Sequence, residues 1–176
     1  MLTVAIIGAG PLGRWLALEA ARAGFAVLLE DVMPSNLHHA QEFIRQQINA
    51  ESLPSVRFVS CIEDAVREAD LAIDCIPDEL ESKLEILWLL DRMSPPQTVF
   101  ATPTTRMSIS DLASCTYRPE KCIAIVAAPQ SLVANENKEI RLRITERTAA
   151  ESISLVENFW KQLGFVPTFE LENSHQ

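Results

Sequence analysis

Glycine is scarce in this chain, at 5 of 176 residues. Cysteine is limited to Cys61, Cys75, Cys115 and Cys122, which are scattered and form no C-x-x-C. That excludes a disulfide framework or a zinc site, and the four read as reduced, mostly buried thiols of a cytoplasmic protein. Positive charge is in deficit. The chain carries 15 Lys and Arg against 24 Asp and Glu, for a net charge of −9, with no basic run. Nucleic acid and anionic membrane surfaces are therefore not expected partners. No apolar run approaches the ~20 residues that span a bilayer. The N-terminus reads directly as a strand, without a charged leader or cleavage site, so no signal peptide is expected. Histidine occurs three times. His38 and His39 are neighbours on an expected helix and point about 100° apart, so no shared metal is expected there. What is present, 48% apolar and 22% charged residues, describes a globular chain with one sizeable core.

Three of the five glycines fall in one stretch, Val4-Ala5-Ile6-Ile7-Gly8-Ala9-Gly10-Pro11-Leu12-Gly13. A buried strand runs into a turn with G-x-G-x-x-G spacing and then into a helix. In a dinucleotide site each glycine has a task. Gly8 makes the tight turn, Gly10 lets backbone approach a pyrophosphate, and Gly13 lets helix and strand pack closely. The helix N-terminus offers free N–H groups and a positive dipole end to phosphates, and Pro11 suits the first helical turn. Leu12, Leu16, Ala20 and Ala23 continue at helical spacing to a stop at Gly24. A second apolar run, Phe25 to Leu29, ends in Glu30-Asp31. Asp31 stands about 20 residues past the turn, where a ribose-binding acid belongs, and an acidic pair opposes a 2′-phosphate. The stretch predicts NAD in preference to NADP.

Further along, the pattern predicts a helix from about Leu37 to Asn49 with Phe43 and Ile44 inward, a break at Pro54, and a strand over Val56–Val59. A Ser60-x-x-Glu63 capping box opens a short helix. Leu71–Ile76 reads as a central parallel strand, Leu80–Arg92 as a helix, and Thr98–Ala101 as a strand. Ser108–Leu112 is a short helix and Cys122–Val126 a buried strand. Ile140, Leu142 and Ile144 alternate with Arg141 and Arg143, as in a half-exposed strand near an antiparallel edge. A second capping box, Thr148-x-x-Glu151, begins a helix with Ile153, Val156, Phe159, Trp160 and Leu163 inward, stopped by Gly164. Phe165–Phe169 is an edge strand, and Glu170 to Gln176 a polar tail. The fold class is α/β: a Rossmann-type, doubly wound, mostly parallel sheet with an antiparallel edge. Residues 1–170 form one dinucleotide-binding domain and 171–176 the tail. Ligands of such sheets bind at the carboxyl ends of strands, where Gly8–Gly13, Asp31, Ile76–Asp78 and Thr102–Thr105 all fall.

These residues resemble the NAD-binding domain of 3-hydroxyacyl-CoA dehydrogenase, over nearly the whole chain. The likeness includes the glycine stretch, Gly24 through Asp31, and Ala69 through Lys83, where Ile76-Pro77-Asp78 stands for the family's V-P-E turn. It continues through Ala101-Thr102-Pro103-Thr104-Thr105-Arg106-Met107-Ser108-Ile109, similar to A-T-N-T-S-S-L-S-I, and through Pro119–Ile123. The resemblance implies NAD contacts at Gly8, Ala9, Gly10, Pro11, Leu12, Gly13, Asp31, Ile76, Pro77, Lys83 and Thr105. It also implies an oxidoreductase of fatty-acid metabolism and an acyl-CoA or other small-molecule substrate. On its own, Lys83 reads equally as a solvated helix residue.

The departures bear on catalysis. The family's H-F-F-N-P carries the histidine that accepts the hydroxyl proton, oriented by a glutamate. Here the segment is Val126-Ala127-Ala128-Pro129-Gln130, and the glutamate falls on Arg141. Valine accepts no proton. Thr105 retains a hydroxyl, while Pro103 replaces the motif's asparagine. The long helical pair after the second strand is cut to one helix, and the likeness ends about where the family's helical C-terminal domain begins. Three readings stay open: an NAD(H)-binding protein without the family reaction, an active oxidoreductase with another base and a smaller substrate, and an interaction domain. Candidate bases are His38, His39, His175, Asp78 and Glu79, and no catalytic residue is assigned. Apolar surface left by the absent helical domain predicts self-association or a partner protein.

Overall fold

Runs of Val, Ile, Leu and Ala become central strands when helices cover both faces of a sheet, because each side chain is then buried whichever way it points. The computed structural model describes residues 1–48 and 55–173. Its strands are β1 (Thr3–Ile7), β2 (Ala26–Glu30), β3 (Val56–Val59), β4 (Leu71–Asp74), β5 (Val99–Pro103), β6 (Cys122–Ile125), β7 (Glu139–Ile144) and β8 (Val166–Leu171). They form one sheet in the order β3-β2-β1-β4-β5-β6-β7-β8. From β3 across to β6 all neighbours are parallel, β7 is antiparallel to β6, and β8 is parallel to β7. The strand order reverses between β1 and β4, which opens a crevice at their carboxyl ends.

The helices are α1 (Pro11–Arg22), α2 (Pro34–Gln47), α3 (Ile62–Val66), α4 (Leu80–Met93), α5 (Ile109–Ala113), α6 (Pro129–Val133) and α7 (Ala150–Gln162). Alternation along β1 divides the core. Val4 and Ile6 join Leu16, Ile44, Phe159 and Trp160 on one face. Ala5 and Ile7 join Val66, Leu87, Leu90 and Leu112 on the other. Trp160 packs edge-on against Phe159 and Phe165, with ring centroids 5.4 and 5.1 Å away. Arg118 binds the end of α4: its Nε donates to Asp91 Oδ1 at 2.6 Å, and its other nitrogens donate to the Asp91, Ser94 and Pro95 carbonyls.

Most element expectations match these spans, and Gly24 and Gly164 take positive φ of 89° and 85° at the helix ends they stop. Asn49 and Pro54 lie outside the described residues. Both capping boxes fail. Cys61, not Ser60, is the N-cap of α3, and Ala149, not Thr148, is that of α7; neither helix has a side-chain cap. The Thr148 hydroxyl instead accepts from the Thr145 amide at 2.9 Å, closing the turn after β7. In α7 Ser152 is fully buried while Ile153 is half-buried. Cys61 is exposed, unlike the other three thiols.

The polar tail also begins later than residue 170. β8 extends to Leu171, and Glu170 pairs with Arg143 at 2.7 Å. Glu172 docks on α5: its carboxylate accepts from the Ile109 and Ser110 amides, both at 2.8 Å, and from the Ser108 and Ser110 hydroxyls at 3.1 and 2.6 Å. Burial pushes this carboxyl up, but the four donors outweigh it and hold it below the usual glutamate range. A carboxyl depressed by folding stabilises above its unfolded pKa, and that contribution is lost as pH falls through the folded value. The urea midpoint of wild type should therefore exceed that of Glu172→Gln at pH 7. The gap should close progressively below about pH 4, near the ordinary glutamate pKa.

Candidate dinucleotide site

The crevice between β1 and β4 is built from backbone. The Gly8 amide donates to the Glu30 carbonyl at 2.8 Å, extending the β1–β2 ladder by one residue, and Gly8 then turns with φ +102°. A Cβ on Gly8 would lie 3.1 Å from the Cys75 carbonyl oxygen, so the turn abuts the end of β4. A Cβ on Gly13 would lie 1.7 Å from the Gly8 carbonyl oxygen, which no side chain survives. Gly10 is different. Its backbone is extended, with φ −68°, and a Cβ there would meet nothing within 4 Å. The space beside Gly10 is open among the described residues. Helix α1 starts here with Pro11 in its first turn, no side-chain cap and no acidic residue in that turn. The Leu12 and Gly13 amides, first-turn groups without helical acceptors, together with the dipole, form a site for an anion.

Asp31 closes the loop from the other side. Its Oδ2 accepts from the Ala9 amide at 2.9 Å and from Asn36 Nδ2 at 3.1 Å, and its Oδ1 from the Met33 amide at 2.8 Å. A carboxylate has about four lone-pair positions, so one remains for a ribose hydroxyl. The acid therefore both shapes the glycine loop and faces the crevice. Ile76 is half-buried and Pro77 exposed at the end of β4. Asp78 Oδ2 accepts from the Thr105 amide at 3.3 Å, and the Asp78 carbonyl accepts from Arg106 Nη2 at 3.1 Å. These bonds join the loops after β4 and β5 and orient Asp78. The Thr104 hydroxyl, accepting from the Met107 amide at 3.1 Å, steadies the second loop.

Lys83 is not a solvated helix residue. It is fully buried, and its Nζ donates to Asp74 Oδ1 at 2.5 Å. Asp74 Oδ2 has no hydrogen-bond partner among the described residues. Burial pushes the Asp74 carboxyl up, and the Lys83 ammonium and the Thr102 hydroxyl oppose it. This pair joins α4 to the last residue of β4, directly before the loop that Gly8 abuts. His38 and His39 are exposed on α2, with ring centroids 6.4 Å apart, and no metal-binding cluster exists among the described residues. His175 lies outside them.

Sequence reasoning did not find Glu30 as a site group. It is 3% exposed at the end of β2, and its Oε1 has no hydrogen-bond partner among the described residues. Burial, with the neighbouring Asp31 charge, pushes it up to about 7. Its only sequence signal is its place: one residue before the site acid, paired in register with Ile7 and Val59 of the two flanking strands. Also unforeseen is a cleft of about 550 Å³ at the carboxyl end of β6, lined by Thr105, Val126, Ser131, Asn135, Arg141 and Thr168 among others. It brings Val126 and Arg141, the two departures, together beside Thr105. A carboxyl raised by folding binds protons that the unfolded chain has released, so stability falls as pH rises from about 4.5 to 7. Glu30→Gln should therefore melt above wild type at pH 8, by a margin that vanishes below pH 4.5, in thermal scans across that range.

Residues 3–169 match the sequence model described as 3-hydroxyacyl-CoA dehydrogenase, NAD binding domain. The probable 3-hydroxybutyryl-CoA dehydrogenase of Bacillus subtilis (strain 168) is 27% identical over 171 residues, covering 90% of this chain and 60% of that protein. The 5-formyl-3-hydroxy-2-methylpyridine 4-carboxylate 5-dehydrogenase of Mesorhizobium japonicum is 25% identical, covering 93% and 55%. The solved 3-hydroxybutyryl-CoA dehydrogenase of Escherichia coli K12 superposes with a TM-score of 0.84 at 27% identity, over 97% of this chain and 38% of that one. The chain thus spans little more than half the length of the curated relatives it matches. A loop whose one open glycine lies between an acid and a helix N-terminus is what this match describes in sequence: the chain belongs to the 3-hydroxyacyl-CoA dehydrogenase NAD-binding domain family, and its cofactor is NAD.

Proposed function

We propose that the chain is an NAD(H)-binding domain that has given up its family's proton-transfer route. The observation that carries this reading is Val126. It lines the cleft at the end of β6, where the resemblance puts the histidine base, and Arg141 lines the same cleft where the orienting glutamate belongs. An alkyl side chain accepts no proton, and a guanidinium stays protonated, so this pair does not perform general base catalysis.

In this reading the Leu12 and Gly13 amides hold the pyrophosphate over Gly10, and Asp31 takes an adenosine ribose hydroxyl. Ile76 and Pro77 line the path of the dinucleotide, and Thr105 stands on the nicotinamide side. Lys83 acts from behind, through Asp74, to hold the β4 loop. Bound NAD supplies a hydride acceptor or, reduced, a donor. The domain then reports the NAD/NADH ratio or completes its site with a partner protein or a second copy. Val166 and Leu171, exposed on the edge strand β8, are apolar groups such a contact would cover. The second reading, an oxidoreductase acting on a smaller hydroxy or oxo substrate, draws its support from the cleft itself, which opens beside Thr105.

Calorimetric titration with NADH should give saturable binding, with NADPH weaker because Asp31 opposes a 2′-phosphate. Gly10→Ala should abolish binding while melting within a few degrees of wild type, since its Cβ enters only the ligand's space. Gly13→Ala should lose the fold itself, with overpacking of about 1–3 kcal/mol or more. Equal NADH affinity in wild type and Gly10→Ala would overturn the cradle assignment. In a spectrophotometric assay with NAD and 3-hydroxybutyryl-CoA the isolated domain should show no reduction above background. Measurable turnover would favour the second reading.

A further inference from the structure

Two charged side chains, Glu139 and Arg141, line the β6 cleft. β7 runs antiparallel to β6, so its first residues lie at the same rim as the carboxyl ends of the parallel strands. The Val126 amide donates to the Arg141 carbonyl at 2.9 Å, which fixes Arg141 opposite the end of β6. Its side chain is 65% exposed, and its carboxylate contact, Glu170, is distant at 3.8 Å. Glu170 is already held by Arg143, at 2.8 Å to Nε and 2.7 Å to Nη2. Glu170 is thus engaged by Arg143, and the Arg141 guanidinium has no hydrogen bond among the described residues at the wall of the cleft.

We propose that this cleft binds a small molecule bearing a carboxylate, and that Arg141 is the residue that recognises it. The inference rests on the NAD(H)-binding reading, since Thr105, whose amide bonds Asp78, places the cleft against the cofactor loops. Three features select the ligand class. A volume of about 550 Å³ is that of a small-ligand pocket. Among the described residues Arg141 is the one cation lining it, and a planar guanidinium pairs with one carboxylate in a bidentate fork. The chain carries a net charge of −9, so an anion gains nothing from the general field and depends on this side chain. Glu139, two residues earlier on the same strand and also lining the cleft, repels a bare anion and accepts hydrogen bonds. The ligand therefore carries a donor as well as its carboxylate, as a hydroxy acid does. A simple fatty acyl thioester of coenzyme A, with several phosphate charges and no free carboxylate, is a poor match.

The test is titration of NAD-saturated protein with 3-hydroxybutyrate, lactate and malate, each against its methyl ester, with inorganic phosphate and butyryl-CoA as further arms. At least one free acid should bind saturably, and its ester, and the same acid on Arg141→Gln, at least about 10-fold more weakly, as for a lost charge-assisted hydrogen bond. NAD affinity of Arg141→Gln should equal that of wild type, which shows the variant is folded. Acid and ester binding alike, tighter binding of phosphate or butyryl-CoA, or no acid binding at 10-millimolar order on NAD-saturated protein would each overturn the inference and leave NAD binding standing. Failure to bind NAD at all would overturn both.

Discussion

The contact between the Gly8 carbonyl and Gly13 is the constraint on which the rest of the site depends. It draws the start of α1 onto the end of β1 until no Cβ fits between them. Only that approach brings the first-turn amides of α1 over the crevice. Gly8 in turn abuts Cys75, so the same tight turn sets the spacing between β1 and β4 at the point where the strand order reverses. The glycines are few in this chain because the fold needs so few, and those it needs are at helix ends and in this turn.

Around the cradle the acidic groups have distinct tasks set by burial. Asp31 is bound to three backbone or side-chain donors, and keeps the loop in shape. Asp74 is sealed in the sheet with Lys83 as counter-ion. Removing one partner of such a buried pair leaves the other charge without compensation. Glu30 is buried with no cation beside it among the described residues, and burial, with the neighbouring Asp31 charge, pushes it up to about 7. Three carboxyls at the strand ends of the site thus differ in their partners: Asp31 has backbone and amide donors, Asp74 a buried ammonium, and Glu30 neither.

The sheet and the glycine loop were legible because their signals are strong and local: apolar runs of strand length, helical spacing after Gly13, and an acid at the right distance. Asp31 was legible as an acid at the end of β2, though not as the group that bonds Ala9. Caps were misread at Ser60 and Thr148. A capping box is a local pattern that competes with turn bonds, and at Thr148 the bond to the Thr145 amide won. Lys83 was ambiguous since its sequence position on α4 does not reveal that Asp74 faces it across the fold. The Glu172 clamp on α5 joins residues more than sixty positions apart, beyond any periodicity argument. The cleft was invisible for the same reason: Thr105, Val126, Arg141 and Thr168 come from separate strand ends and meet only through the β6–β7 reversal.

The strand order has a consequence in time. All three loop glycines, Asp31 and helix α1 lie within the first 31 residues, yet the wall that Gly8 abuts is Cys75, and β1 is flanked on that side by β4. The amide of Thr3 is bonded to the Asp70 carboxylate, 67 positions away. The nucleotide cradle therefore cannot close as its own residues leave the ribosome. It waits for a pairing of high sequence separation, the kind that carries a large loop-closure cost and slows folding. The seam between β1 and β4 thus ties the strand that carries the glycine loop to chain 67 positions further on.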